Sequence, residues 1–317
     1  MGRRIAGFPE QAVITEVGPR DGLQSEPVFV PTAQKIALIQ SLLDAGLRRF
    51  EITSFVSPRA VPQMQDAAEV MAAFRQRRDA HLTALVPNTR GAAAAIEAGV
   101  DAMVLFASAS ESHNLKNVNR PRAESLRGFA EIAKLAEGTG VALQGAIATA
   151  FGCPFEGDVA VRAVVDQARA YRDLGMRFIT LGDTTGMATP ALVIEWLRAL
   201  TTELPDVDFS LHFHNTRGVG LACAYAGLSQ GARYFESSIG GLGGCPFVPR
   251  ATGNVPTEDL AYLFHESGVA TGTDPDLLIR AAQLAERIIG RELPGQIMKA
   301  GPRLRTAPMD SVRTANG

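Results

Sequence analysis

The sharpest chemical signal in the chain is His212-Phe213-His214, because an extended strand sends residues i and i+2 to one face and aims both imidazoles at one point. Two convergent imidazoles suggest a metal. The chain has 5 His in 317 residues, so two on one strand face is an uneven share. A hydrogen-bonded pair of structural histidines is the competing explanation. Asp21 offers a carboxylate and Asn254 an amide oxygen. Two nitrogens and two oxygens, with positions left for substrate, suit a hard or borderline divalent ion, Mg²⁺ or Mn²⁺; zinc more often receives thiolate or a third imidazole. Arg20, beside Asp21, is either half of a local ion pair or a guanidinium placed to hold a carboxylate or a developing enolate oxygen. Gly240-Gly241-Leu242-Gly243-Gly244-Cys245-Pro246 is too glycine-rich for a rigid element and too long for a tight turn, so it reads as a mobile lid bearing one thiol. Cys153 and Cys223 read as structural, the latter as a small core residue within a helix.

These groups lie far apart along the chain and must be gathered by the fold. Short apolar runs recur at Val13–Val17, Phe50–Thr53, Leu82–Val86, Ala102–Phe106, Ala142–Ile147, Phe178–Leu181, Phe209–His214 and Tyr234–Ser238. Amphipathic segments fill the gaps, among them Thr32–Ala45, Ala123–Ala136, Ala160–Leu174, Pro190–Leu200 and Gly218–Gln230, several opening near Pro or Thr and closing near Gly. Eight strand–helix units without a Pro- or Ser-rich linker predict an α/β fold of the closed (β/α)₈ TIM barrel type rather than two domains. A doubly wound open sheet reads the same locally, but its Gly-rich dinucleotide fingerprint is absent from the first βα turn, where Gly18-Pro19-Arg20-Asp21-Gly22 stands. Two further helices are expected at Thr257–Ser267 and Asp276–Ile289. The chain therefore reads as one domain over 1–300 with a C-terminal helical extension, and 301–317 as a flexible tail. In such a barrel the chemistry sits on loops at the carboxyl ends of the strands, where Arg20, Asp21, Gln24, Glu51, Asp183, His212, His214, Cys245 and Asn254 all fall.

Composition narrows the partners. Lys+Arg 31 against Asp+Glu 33 gives a net charge of −2, without the basic excess that a nucleic acid or an anionic membrane demands. No apolar run reaches the ~18 to 20 residues of a membrane span, and no signal core follows Met1. Three widely spaced cysteines fit a reducing, cytoplasmic setting.

Several segments, in order, also match a known family: Val17-Gly18-Pro19-Arg20-Asp21-Gly22-Leu23-Gln24, Thr53-Ser54-Phe55-Val56-Ser57-Pro58, Val61-Pro62-Gln63, Gly152-Cys153-Pro154-Phe155-Glu156-Gly157, Leu181-Gly182-Asp183-Thr184, His212-Phe213-His214 and Gly241-Leu242-Gly243-Gly244-Cys245-Pro246-Phe247. Together they resemble the 3-hydroxy-3-methylglutaryl-CoA (HMG-CoA) lyases. The resemblance implies a TIM barrel that binds Mg²⁺ or Mn²⁺ and splits HMG-CoA into acetyl-CoA and acetoacetate, the chemistry of leucine catabolism and ketone-body formation. It further implies that Asp21, His212, His214 and Asn254 are metal ligands, that Arg20 stabilises an enolate, that Cys245 is a lid thiol, and that Glu51 and Asp183 lie close to the site. Gln24, Asn117 and Lys116 are implied as contacts to the acyl-CoA, the small-molecule partner, and a homo-oligomer, dimer or tetramer, is implied as the assembly.

The implied reaction is a retro-Claisen cleavage, in which Asp21, or His212 beside it, takes the hydroxyl proton and Arg20 faces the enolate oxygen. Cys245 then protonates the enolate carbon or seals the lid. The chain departs from the better-known members at Asn215-Thr216-Arg217-Gly218, where they tend to carry Asp and an aromatic residue. That departure opens the choice of a related branched 3-hydroxyacyl-CoA or a citramalyl-type ester as substrate. A condensing acyltransferase of the isopropylmalate synthase type shares the H-x-H site but carries a long regulatory extension, whereas this chain ends soon after the barrel. A silent metal-binding scaffold would have lost one of Arg20, Asp21, His212, His214 or Asn254, and all five are present.

Overall fold

The computed structural model describes residues 2, 4–244 and 252–306. Eight parallel strands close into a barrel in chain order: β1 (Val13–Glu16), β2 (Arg49–Ser54), β3 (His81–Leu85), β4 (Ala102–Ser108), β5 (Ala142–Ala148), β6 (Phe178–Asp183), β7 (Asp208–Phe213) and β8 (Tyr234–Ser237), with β8 pairing back onto β1. Around it lie α1 (Thr32–Asp44), α2 (Ala67–Phe74), α3 (Thr89–Ala98), α4 (Glu111–Val118), α5 (Arg122–Ala136), α6 (Val161–Asp173), α7 (Pro190–Glu203) and α8 (Gly220–Ser229). After the barrel come α9 (Thr257–Glu266), α10 (Pro275–Ile289) and a single turn, α11 (Ile297–Ala300). The expected TIM barrel is thus observed, with each strand within two residues of its apolar run. Residues 307–317 of the expected tail lie outside the described residues.

Strand parity separates two kinds of interior. Ile14, Phe50, Ile52, Met103, Leu105, Ile147, Ile179, Leu181, Leu211 and Phe235 face outward and are buried under the helices. Each such side chain contributes roughly 1.5–3 kcal/mol by leaving water, so this outer shell is what holds the barrel closed. The alternate residues point into the barrel and are largely polar: His81 and Gln144 touch at 3.1 Å, and Arg49 stacks 4.9 Å from the Phe178 ring centroid. Register then decides which inward groups share a level. Thr180 lies opposite Ser210, Gly182 opposite His212, and His212 opposite Glu236.

One outward residue breaks the apolar rule for a reason. Glu16, fully buried on β1, accepts hydrogen bonds from Gly18 N at 2.7 Å, Ile239 N at 2.9 Å and Thr257 Oγ1 at 2.7 Å. It thereby ties the loop after β1 to the segments that follow β8. Burial pushes its carboxyl up to about 7, against the pull of those donors.

Candidate active site

Residues 18–22 form a single π-helical turn, in which Asp21 N and Gly22 N both donate to Val17 O, at 2.7 and 3.3 Å. Such one-turn widenings recur at functional sites. Glycine is required at both ends: a Cβ on Gly18 would meet Glu16 Oε1 at 2.5 Å, and one on Gly22 would meet Leu242 Cβ and Ser238 Oγ at 2.8 Å. The turn presents Arg20 and Asp21 side by side at the barrel mouth.

The H-x-H pair comes from β7 and the residue that follows it, with ring centroids 5.2 Å apart. Asp21, His212 and His214 each offer a ligand atom, and these atoms lie within 4.8 Å of one another. Asn254 reaches the same place because its segment runs antiparallel beside the end of β7, with Asn215 N donating to Gly253 O at 2.9 Å and Val255 N to Phe213 O at 3.1 Å. Its amide nitrogen is spent on two acceptors, Asp21 Oδ2 at 2.7 Å and Leu242 O at 3.0 Å, which fixes the amide orientation. Its carbonyl oxygen, on a residue 1% exposed, has no hydrogen-bond partner among the described residues, and neither does His214 Nδ1. A buried acceptor left unmet costs ~1 to 3 kcal/mol, which a cation at this position would recover. The donor set, two imidazoles, a carboxylate and an amide oxygen, therefore fits a divalent cation.

Glu236 on β8 was not among the sequence candidates, yet it organises the site. Its Oε2 accepts from His212 Nδ1 at 3.0 Å and its Oε1 from Thr180 Oγ1 at 2.6 Å. A carboxylate on one ring nitrogen fixes the tautomer and leaves the other nitrogen's lone pair for a ligand. Burial alone would lower His212, but Glu236 outweighs it and raises the imidazole's pKa. His214, without such a partner, is lowered to about 4 by burial and by His212. The signal that would have found Glu236 is parity: a Glu two residues after Tyr234 on an otherwise apolar strand has to face the barrel interior.

Arg20 is gripped on two sides, its Nε donating to Glu51 Oε1 and its Nη1 to Asp21 Oδ1 at 2.6 Å. Burial pushes the Asp21 carboxyl up, but Arg20, His212, His214 and Asn254 together hold it well below the usual carboxylate range. Glu51, 3% exposed, goes the other way: burial pushes it up to about 7 in spite of Arg20. Two neighbouring carboxyls are thus separated by their surroundings, one permanently ionised and one poised near neutrality.

A cavity of about 660 Å³ opens from this cluster. Arg20, Asp21, Gln24, Glu51, His212, His214 and Glu236 line its inner end, and Asn88, Thr89, Asn117 and Arg120 its outer end. Of the sequence candidates for acyl-CoA contact, Gln24 and Asn117 line it; Lys116 does not, and is exposed on α4. Asp183 is not brought to the cavity. Parity turns Gly182 inward and Asp183 outward, where Oδ1 accepts from Met187 N at 2.7 Å and Ala188 N at 2.9 Å, so it shapes the loop after β6.

Arg217 is likewise absent from the cavity wall; its Nη1 donates to Thr185 O and Gly186 O at 2.8 and 2.7 Å, stapling two loops together. Asn215 accepts from Gly220 N at 3.2 Å at the start of α8. Asn215 and Arg217 are thus both spent on loop structure in this stretch. The described part of the glycine-rich segment, residues 240–244, is tied to its surroundings. Gly240 N donates to Glu258 Oε2 at 2.9 Å, and a Cβ on Gly243 would strike Asn254 Nδ2 at 2.5 Å, so these glycines serve close approach. Cys245 lies outside the described residues. Cys153 is buried, with Ser110 Oγ 2.9 Å from its sulfur, and Cys223 is buried in α8, as expected of structural thiols.

No helix among the described residues is long and apolar enough to cross a membrane. Residues 11–285 match the family described as HMGL-like. The chain is 40% identical over 289 residues to hydroxymethylglutaryl-CoA lyase YngG of Bacillus subtilis, covering 91% of this chain and 97% of that one. It is 44% identical over 306 residues to (R)-citramalyl-CoA lyase of Chloroflexus aurantiacus, covering 92% and 96%. Among solved structures, an HMG-CoA lyase from Acinetobacter baumannii in complex with coenzyme A and 3-methylmalate superposes with a TM-score of 0.90 at 41% identity, covering 97% of this chain and 100% of that one.

Proposed function

The chain belongs to the HMGL-like family, and from that premise we propose that it is a carbon–carbon lyase cleaving HMG-CoA to acetyl-CoA and acetoacetate with a bound divalent cation. The observation that carries the reading is the convergence of Asp21, His212 and His214 beside an unmet Asn254 carbonyl, with Arg20 facing the same cavity.

Asp21, His212, His214 and Asn254 would hold the cation, which would be Mg²⁺ or Mn²⁺ on the hardness of the oxygen donors. When bound it supplies Lewis acidity that makes a coordinated alcohol easier to deprotonate. The bond that breaks joins the hydroxyl-bearing carbon to the CH₂ beside the thioester. The hydroxyl proton leaves to a base, the C–C electron pair becomes a thioester enolate, and a proton then returns to that carbon. Arg20 is the group suited to the enolate oxygen, because its grip by Glu51 and Asp21 preorganises the guanidinium before charge develops. Asp21 is a poor proton acceptor, since both its oxygens are engaged and its pKa is held down. A His212 lone pair committed to a cation cannot also take a proton. That leaves Glu51, poised at about 7, as the acceptor.

A base must be ionised, so activity limited by Glu51 rises with pH through about 7. In Glu51→Gln the expected loss is at least about a hundredfold in kcat/KM, with disappearance of that acid limb. A variant that keeps the limb would move the base elsewhere.

The 44% identity to a citramalyl-CoA lyase favours one second reading, cleavage of citramalyl-CoA to acetyl-CoA and pyruvate. Purified protein given Mg²⁺ and either ester, with acetyl-CoA and the 2- or 3-oxoacid measured, decides between them. Release of acetyl-CoA from neither ester overturns the lyase reading. Lys116, exposed beside the cavity's outer end, and Asn117 are kept as contacts for the CoA arm, with Gln24 nearer the reacting end. We place the enzyme in the cytoplasm as a homo-oligomer, and residues 1–300 as one domain.

A further inference from the structure

The loop after β6 is held more firmly than a connection requires. Asp183 Oδ1 accepts from Met187 N at 2.7 Å and Ala188 N at 2.9 Å, while Arg217 Nη1, reaching over from the loop after β7, donates to Thr185 O at 2.8 Å and Gly186 O at 2.7 Å. Residues 185–188 are thereby pinned in succession, the first pair by their carbonyls and the second by their N–H groups. Close packing adds to this: Gly186 has a φ of +64°, and a Cβ on it would meet Thr216 Cβ at 2.7 Å. Restraint of this order serves whatever the loop presents. Of residues 183–189, Thr184 lines the cavity. It follows Gly182 by two, and Gly182 lies opposite His212 in register. From the β5 side, Thr149 N donates to Thr184 Oγ1 at 3.0 Å. Thr149 is fully buried at a φ of +53°, a conformation costly for a β-branched residue that persists where the surroundings impose it. An oxygen that accepts this N–H keeps its own proton, and among the described residues the Thr184 hydroxyl donates to no other group.

We propose that Arg217 is a positioning residue: by holding Thr185 and Gly186 it sets the loop so that the Thr184 hydroxyl donates to the free carboxylate of the substrate. The inference rests on the lyase reading above and deepens it. HMG-CoA and citramalyl-CoA both carry a carboxylate beyond the hydroxyl-bearing carbon, and a preset O–H donor suits a carboxylate oxygen. Arg217 itself is exposed and stands outside the cavity wall, so it acts through Thr184. The loop after β6 is the side that yields when Arg217 is removed. The end of β7 is fixed independently, Asn215 N donating to Gly253 O at 2.9 Å and Val255 N to Phe213 O at 3.1 Å, so His214 keeps its place.

The test compares wild type with Arg217→Met, Arg217→Lys, Thr184→Val and the double variant, each given Mg²⁺ and whichever of HMG-CoA and citramalyl-CoA wild type cleaves, with acetyl-CoA release followed. Thr184→Val is expected to raise KM by at least about tenfold, the scale of one hydrogen bond to a charged group. Arg217→Met should raise KM about three- to tenfold and leave kcat within about twofold, the pattern of an interaction made equally in ground and transition states. In the Thr184→Val background the same change should add less than about twofold, because residues that act through one group are not additive. Lysine can donate to both carbonyls from one nitrogen, so Arg217→Lys should return KM close to wild type. Manganese affinity and inhibition by free coenzyme A should be unchanged in Arg217→Met. Should that variant fail to fold, Arg217→Gln, which keeps a donor, carries the same comparison. A KM in Arg217→Met within about twofold of wild type overturns the inference, and so does full additivity with Thr184→Val, which would put the guanidinium on the substrate itself. Either result leaves the lyase reading standing. Wild type that releases acetyl-CoA from neither ester overturns the lyase reading, and with it the carboxylate this hydroxyl is placed to meet.

Discussion

Replacing Arg20 with glutamine is expected to lower kcat by at least about a hundredfold, the cost of one preorganised donor to an oxyanion in a water-poor site. The guanidinium is fixed by Glu51 on Nε and Asp21 on Nη1, so its remaining N–H groups are aimed before substrate arrives and nothing need reorganise as charge appears on the thioester oxygen. Glutamine can replace one hydrogen bond of this set but neither the charge nor the fork. Lysine keeps the charge as a point and loses the two-sided grip, so Arg20→Lys should recover only part of the loss. Manganese affinity, measured by direct titration, should stay close to wild type in both variants, because Arg20 is not a ligand. A normal turnover number in Arg20→Gln would remove the residue from the mechanism. A parallel collapse of metal binding would recast it as a support for Asp21.

Exhaustive chelation is expected to abolish turnover, and added Mg²⁺ or Mn²⁺ to restore it. The residue-level counterpart is His214→Ala. Partners one layer behind a metal ligand are worth about 10 to 100-fold in affinity, so removing a ligand should weaken Mn²⁺ binding by at least about tenfold. His214 is the informative choice, since its Nδ1 has no hydrogen-bond partner among the described residues. In His212→Ala, by contrast, the Glu236 carboxylate loses its imidazole partner as well. A His214→Ala protein that titrates Mn²⁺ as tightly as wild type would end the ligand assignment, and undiminished activity after chelation would end the cation's role.

Much of this was legible in the sequence because two periodicities carry it. A spacing of two on a strand sends His212 and its neighbour His214 toward one point, and recurring apolar runs count out eight strands, which puts Asp21 and Asn254 at the same barrel mouth. Parity at a strand's end was harder to read. Asp183 closes β6 and looks reactive, but the inward positions there belong to Thr180 and Gly182, and register rather than residue type decides which of two adjacent residues faces the cavity. Glu236 was missed for the converse reason, being a single acid within an apolar run. Arg217 illustrates a third limit, since a cation near a site in sequence can spend its donors on backbone carbonyls, which no pattern of side chains reveals. The short helices α2 and α4, 8 residues each, carry too few turns for their apolar spacing to stand out.

The wide turn at 18–22 delivers an anion-gripping cation and a cation-gripping anion from adjacent positions, with glycines wedged at both ends. Losing or gaining one residue there would swing Arg20 and Asp21 together by roughly a quarter of a revolution, since a π-helical turn takes a little over four residues. Both duties would fail at once. Drift in this stretch therefore has no half-functional stopping place, and redesign aimed at new substrates does better to leave it intact.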